Sequence, residues 1–283
     1  MGQTTNLLTI RTLIWLVLTV VLATSGGLGA QQPDQTRERV LGQPSSKEEM
    51  EAWGKVNQAS AIEEKGRLAE DYLERFPNGG YAPYAHEILA FYYQSKDDMD
   101  QFFSHADQAL AELPDEPVLL VNVSVAAAER QKADMAIERG ERALQIIPTT
   151  QPPSQIGAAQ WNEEKESLMS EAHYGVGTGY LLKAYNDREN RQLMESATTH
   201  LEQAARLNPT DERAHFRLGF AYQIQQNLEQ AVLSYARAAA IQGPNSAMAR
   251  SYLEKAYEAV YGNTQGVDKL IQEQGEQLKQ NNR

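Results

Sequence analysis

Cysteine is absent from this chain of 283 residues. That excludes disulfide stapling, thiolate catalysis and cysteine-ligated zinc, and it leaves no N-terminal cysteine to carry a lipid anchor. Basic residues are scarce as well: 26 Lys and Arg stand against 38 Asp and Glu, for a net charge of -12. Such a balance does not suit a surface that tracks phosphates, so nucleic acid is not an expected partner. There are five histidines and no H-E-x-x-H spacing, and a catalytic zinc needs three converging ligands. No nucleophile-elbow sequence is present to support covalent hydrolysis. The acidic stretch at Asp97, Asp98 and Asp100 lacks the glycine and the bidentate glutamate of a calcium loop and reads as a helix cap. Gly175 to Tyr180 is rich in glycine, but no strand precedes it and no Lys-Ser/Thr follows, so it is not a phosphate loop. The expectation is a non-enzyme with no cofactor and no metal.

Long apolar runs are limited to one. Arg11 is followed by an apolar stretch from Leu13 to Ala23 and then by small residues up to Ala30. That order is the order of a secretory signal peptide, with cleavage placed after Ala30. Ser25, Gly26, Gly27 and Gly29 dilute the stretch below what a spanning helix wants. The chain is therefore expected to be exported, periplasmic or secreted, and membrane-anchored only if the segment stays uncleaved.

What is plentiful is helix-forming sequence with internal self-similarity, a feature to test before any fold assignment. "LAEDYLERFP", "HADQALAELP", "RGERALQIIP", "HLEQAARLNP" and "YARAAAIQGP" end at Pro77, Pro114, Pro148, Pro209 and Pro244. Ahead of these segments runs a second spacing. His86-x-x-Leu89-Ala90-x-x-Tyr93 is followed by Leu120-x-x-Val123-Ser124-x-x-Ala127 and His173-x-x-Val176-Gly177-x-x-Tyr180. His215-x-x-Leu218-Gly219-x-x-Tyr222 and Arg250-x-x-Leu253-Glu254-x-x-Tyr257 complete the set. Offsets of three, four and seven share one helix face, and the small central residue predicts close approach of a second helix. All five histidines occupy slots of this pattern, His86, His173 and His215 in first helices and His105 and His200 in second helices.

Pro114 to Pro148 is 34 residues and Pro209 to Pro244 is 35, a spacing that resembles the tetratricopeptide (TPR) repeat, a helix-turn-helix unit of about 34 residues. Leu218, Gly219, Tyr222, Ala231, Tyr235, Ala238 and Pro244 carry the resemblance best. It implies an all-α solenoid, a right-handed superhelix of antiparallel helix pairs. The interval from Pro148 to Pro209 is 61 residues, so the third repeat is swollen. "QPPSQIGAAQWNEEKESLM" is expected to extend its first helix, and "YNDRENRQ" to widen its turn. The organisation is a signal peptide at 1–30, a flexible linker at 31–45 and the solenoid over 46–283. Within it lie a degenerate leading helix pair at 46–77, capped by Ser46 and Glu49, and repeats near 83–116, 117–150, 170–211 and 212–245. An insert at 151–169 precedes the third repeat, and terminal helices fill 246–283. The junction "YLERFPNGGYAPYAHEILAFYYQ" is similar to helix junctions of TPR proteins of the bacterial cell envelope.

In TPR domains the first helices line a concave groove. The repeat register projects that face onto Tyr84, Glu87 and Phe91, then Val118, Val121 and Val125, then Tyr174, Thr178 and Leu181, then Arg213, Phe216 and Phe220. The rings of Phe91, Tyr174, Phe216 and Phe220 are candidate anchors for an extended peptide or partner helix, and Arg213 and Arg217 candidate polar contacts. The alternative for the rings is packing under the swollen third repeat or against the terminal helix. Two arginines resemble the carboxylate clamp of chaperone-binding TPR domains, yet Glu87 and Phe91 stand where that clamp needs Lys and Asn. A chaperone-tail receptor is not expected. The leading expectation is a scaffold or adaptor for a protein partner in the bacterial envelope. The alternative is a structural homo-oligomer or fixed complex subunit built through outer faces, with Trp161 as a contact. The sequence leaves the oligomeric state and the identity of the partner open.

Overall fold

The computed structural model describes residues 41–152 and 157–281. The expected signal peptide, with its cleavage point, and the linker up to residue 40 lie outside the described residues. Among the described residues there are twelve α-helices and no strand, which makes the protein all-α. The chain divides into two compact units, one running to Leu119 with 152–157, the other comprising Leu120–Gln151 and Ala158–Arg283.

The first unit holds α1 (Lys47–Gln58), α2 (Ile62–Arg75), α3 (Ala82–Ser95), α4 (Met99–Glu112) and the start of α5 (Pro117–Glu129). Ser46 caps α1 by accepting from the Glu49 N–H at 3.1 Å. The Glu49 carboxylate does not return to Ser46, as a capping box would have it. It accepts from Ser45, at 2.6 Å from both the backbone nitrogen and the hydroxyl, and from the Tyr72 hydroxyl at 2.6 Å. This fully buried carboxylate thus joins α1 to α2. Above it Trp53 stacks on Tyr81 with centroids 4.9 Å apart and meets Tyr72 edge-on at 5.4 Å, so aromatic area closes this end of the core.

The second unit continues with α6 (Ala133–Ile146), a single 3-10 turn (Ile147–Thr149), α7 (Ala158–Asn186) and α8 (Arg191–Leu207). It ends with α9 (Glu212–Ile224), α10 (Leu228–Ile241), α11 (Ser246–Tyr261) and α12 (Val267–Asn281). The small central residues do what the pattern requires. A Cβ on Gly177 would stand 2.8 Å from Leu201 Cγ, and one on Gly219 would stand 2.7 Å from the Tyr235 ring. Only glycine lets α7 and α9 lie that close to α8 and α10.

Two expectations for the swollen repeat need correction. The extra residues lengthen helices and leave the turn short: α7 has 29 residues and α8 has 17, while only Asp187–Asn190 separates them. The reason is that "NRQ" begins α8, with Asn190 accepting from the Leu193 N–H as its N-cap. Trp161 is not an outer-face contact either. It is 5% exposed, its indole N–H donates to the Thr150 carbonyl at 3.1 Å, and Lys165 donates to the Pro148 carbonyl at 3.1 Å. Both side chains tie the extended start of α7 back to the end of α6.

A hydrogen bond recurs between successive helix pairs. The hydroxyl of Tyr93 on α3 donates to Glu70 on α2 at 2.7 Å, and that of Tyr180 on α7 donates to Glu141 on α6 at 2.7 Å. Tyr222 on α9 donates to Glu202 on α8 in the same way. Each glutamate lies seven residues before the closing proline of its repeat. Acceptance by the carboxylate, followed by burial, pushes the Tyr93 and Tyr180 hydroxyls up to about 12. Two steps lack the rung: Ala127 has no hydroxyl to offer, and ahead of Tyr257 the glutamate's place, five residues after Ala231 as Glu202 is five after Ala197, is taken by Ala236, the closing Pro244 standing one residue late. Tyr180→Phe is expected to cost about 1 kcal/mol, with Tyr93→Phe and Tyr222→Phe similar and roughly additive because the sites are distant. Urea unfolding followed by circular dichroism checks this, and three variants indistinguishable from the parent would show the rungs to be energetically idle.

Candidate partner-binding face

The eight residues projected onto the groove divide by accessibility. In the first unit Tyr84 is half-buried and Phe91 is 4% exposed; in the second, Val121 is 1% and Tyr174 2% exposed. Phe91, Val121 and Tyr174 therefore cannot offer side chains to a partner, a correction to their reading as anchors and contacts. The physical cause is visible for Tyr174, which packs into the core with Leu181, Leu201 and Leu218. The register places a residue on a helix face but does not say how far the neighbouring helix covers it.

Arg213, Phe216, Arg217 and Phe220 on α9 are all half-buried. Phe216 leans into the next helix pair, edge-on to Tyr252 at 5.4 Å and tilted against Tyr235 at 5.7 Å. Its main role is packing. Phe220 instead meets Tyr185 at 6.1 Å. Tyr185, at the end of α7, is 48% exposed, and the Arg188 guanidinium lies 4.9 Å over its ring. This aromatic ledge with a cation on it is the accessible apolar feature of the face.

About two turns before Phe220 on α9 sits a polar cluster built by three helices. Asp211 caps α9, accepting from the Arg213 and Ala214 N–H groups. The Arg213 guanidinium donates to Asp211 at 3.0 Å and to Glu171 on α7 at 2.7 Å, with Glu129 at the end of α5 3.7 Å away. It also lies 4.6 Å over the Tyr174 ring, a cation–π contact strengthened by desolvation. Burial raises the Glu171 carboxyl, and the Arg213 charge opposes that rise without cancelling it. Burial likewise raises the Tyr174 hydroxyl, which the Arg217 side chain approaches. Sequence reasoning missed Glu171, Asp211, Glu129 and Tyr185. One signal was available: Glu171 stands two places before its repeat's first motif residue, the same place as Tyr84, Val118 and Arg213.

The first unit carries a different arrangement. Burial raises the Tyr84 hydroxyl, and the charges of Glu87 on α3 and Glu116 just before α5 add to the rise; Glu116 accepts from the Val118 N–H at the start of α5. Burial raises both carboxyls, Glu87 well above the ordinary carboxylate range with the charge of Glu116 adding to the rise, and Glu116 to about 7. Among the described residues no cation forms an ion pair with either.

The histidines pair. His86 Nδ1 and His105 Nδ1 are 2.9 Å apart, and His173 Nδ1 and His200 Nδ1 are 3.0 Å apart. Each pair joins the two helices of one repeat. Rings of the rung tyrosines lie alongside, Tyr93 stacked on His105 at 5.4 Å and Tyr180 tilted to His200 at 6.0 Å. His215 is 3% exposed and its Nε2 lies 3.0 Å from the Pro209 carbonyl. Among the described residues no group of three or more His, Cys, Asp or Glu is placed to hold a metal ion. Asp98, in the acidic stretch, caps α4 by accepting from the Gln101 N–H.

The repeated helix pairs, the small residues between them and the first-helix face define a tetratricopeptide-repeat fold. Solved structures agree on this. PilW, described as a widely conserved type IV pilus biogenesis factor, matches 83% of this chain and 90% of its own, at TM-score 0.50 and 16% identity. Yeast Tom70 matches 75% of this chain and 40% of its own, at TM-score 0.51 and 16% identity. No protein-family model and no curated protein matches the chain.

The histidine pairs set a pH dependence. Burial lowers His105, His173 and His200, with His173 falling to about 4, where the His200 and Arg206 charges add to burial. Glu70 opposes the shift at His105 and Glu141 at His200. A histidine lowered in the folded state lets the unfolded chain take the proton first. The contribution of these histidines is therefore complete above about pH 6.5, the ordinary histidine value, and is lost as pH drops toward 4. The raised carboxyls of Glu87, Glu116 and Glu171 act in the opposite sense, so the expected readout is a difference: in thermal melts across that window His173→Gln with His200→Gln is expected to lose less stability than the parent as pH drops. An unchanged pH profile in the double variant would remove the pair as the cause.

Proposed function

We propose that this protein is a non-enzymatic interaction scaffold that holds a peptide or helix of a protein partner against its first-helix faces, exported to the bacterial cell envelope. The observation that carries the reading is the ledge of Phe220 and Tyr185, with the Arg213–Glu171–Asp211 cluster about two turns away along α9. An accessible aromatic surface on a face whose charges are fixed and internally paired is an arrangement that anchors a partner without bond chemistry. The fold supports the general function, because stacked helix pairs present extended surfaces that bind other chains. Export is supported by the order of charge, apolar run and small residues before Ala30, and no described helix is long and apolar enough to cross a membrane.

Phe216 is unsuited to a binding test because its ring fills the interface toward Tyr252. Phe220→Ala and Tyr185→Ala are the informative variants, with Met248→Ala, an exposed side chain on α11, as the control. In crosslinked pull-downs from native envelope with the full chain as bait, the first two are expected to reduce partner capture several-fold while leaving the helical circular dichroism unchanged. Capture that survives both variants would place binding away from this face.

A further inference from the structure

Charge separates these faces from a receptor for an acidic tail. Arg213 is ringed by Glu171, Asp211 and Glu129 at 2.7, 3.0 and 3.7 Å, so its charge is cancelled inside the site. With Arg217 against Tyr174, three carboxylates face two guanidiniums. Glu171 is the odd group among them. The residue is 8% exposed, one oxygen accepts from Arg213, and the other is buried and meets no donor. A buried carboxylate oxygen left without a donor is costly, and the cost is relieved when a ligand brings an N–H. Glu129, whose side chain is 49% exposed, is open to an incoming cation.

We propose that the bound segment of the partner is basic, with a lysine or arginine side chain pairing with Glu129 and supplying the missing donor to Glu171. This rests on the reading of the first-helix faces as the binding surface. Lysine and arginine suit the place because each donates to carboxylate. The chain's net charge of -12 steers the same class of partner inward, and an acidic tail meets repulsion there.

The test is fluorescence anisotropy with the full chain and three extended peptides that alternate leucine with lysine, glutamate or glutamine. The lysine peptide is expected to bind, and the others not. Glu129→Gln, at an exposed site that leaves folding intact, is expected to weaken it several-fold. Glu258→Gln removes the same charge from an exposed position on α11 and is expected to change little. Equal weakening by this control would reduce the attraction to net charge and overturn the proposal. Binding of the glutamate or glutamine peptide in a Phe220-dependent manner would also overturn it, while leaving the first-helix face in place as a binding surface. Failure of the lysine peptide to bind overturns it as well, and envelope capture by the parent but not by Phe220→Ala then decides the face separately.

Discussion

A helix of thirteen or fourteen residues is marginal on its own in water, because nucleation is costly and few hydrogen bonds repay it. Most helices here are of that length, and without cysteine nothing covalent holds them. Each persists because its apolar stripe is covered at once by the helices before and after it in the chain. Close lateral packing is therefore the constraint from which the other features follow: glycine or another small residue at the contact, alanine-rich second helices, and aromatic rings where a gap must be filled. The one helix released from the length limit, α7, needs its own fastening, and Trp161 and Lys165 provide it.

Packing of this kind explains which parts were legible in the sequence. The prolines, the three-four-seven spacing and the small central residues are direct imprints of helices lying against each other, so helix pairs and their junctions could be read. Histidine slots could be read too, since His86 and His173 repeat one position and His105 and His200 another. That the slots face each other across a repeat was not read, because it depends on which faces meet. The face itself was read only in part. Phe91 shares the register place of Phe220, and Val121 and Tyr174 that of Phe216, yet neighbouring helices cover Phe91, Val121 and Tyr174 more fully than Phe216 and Phe220, and periodicity in one helix carries no record of its neighbour's side chains. Glu171 was lost for a simpler reason: the register was applied unevenly, with Leu181 taken in the third repeat in place of the position that Arg213 occupies in the fourth.

The polar groups of the face are arranged so that charge seldom lies open. Arg213 is stacked, paired and buried to a degree that makes it part of the scaffold, and its carboxylate neighbours hold α5, α7 and α9 in register. Such a cluster orients the residues around it as much as it attracts anything.

The tyrosine–glutamate rung has a consequence for how such a chain grows. A helix pair with the tyrosine at one edge and the glutamate at the other is complementary to a copy of itself, so a duplicated unit fits its parent without further change. Units edged by Ala127 or Ala236 lack one half of that match. The chain thus contains both interchangeable joints and fixed ones, and its length is free to vary at the first kind while its individuality is kept at the second.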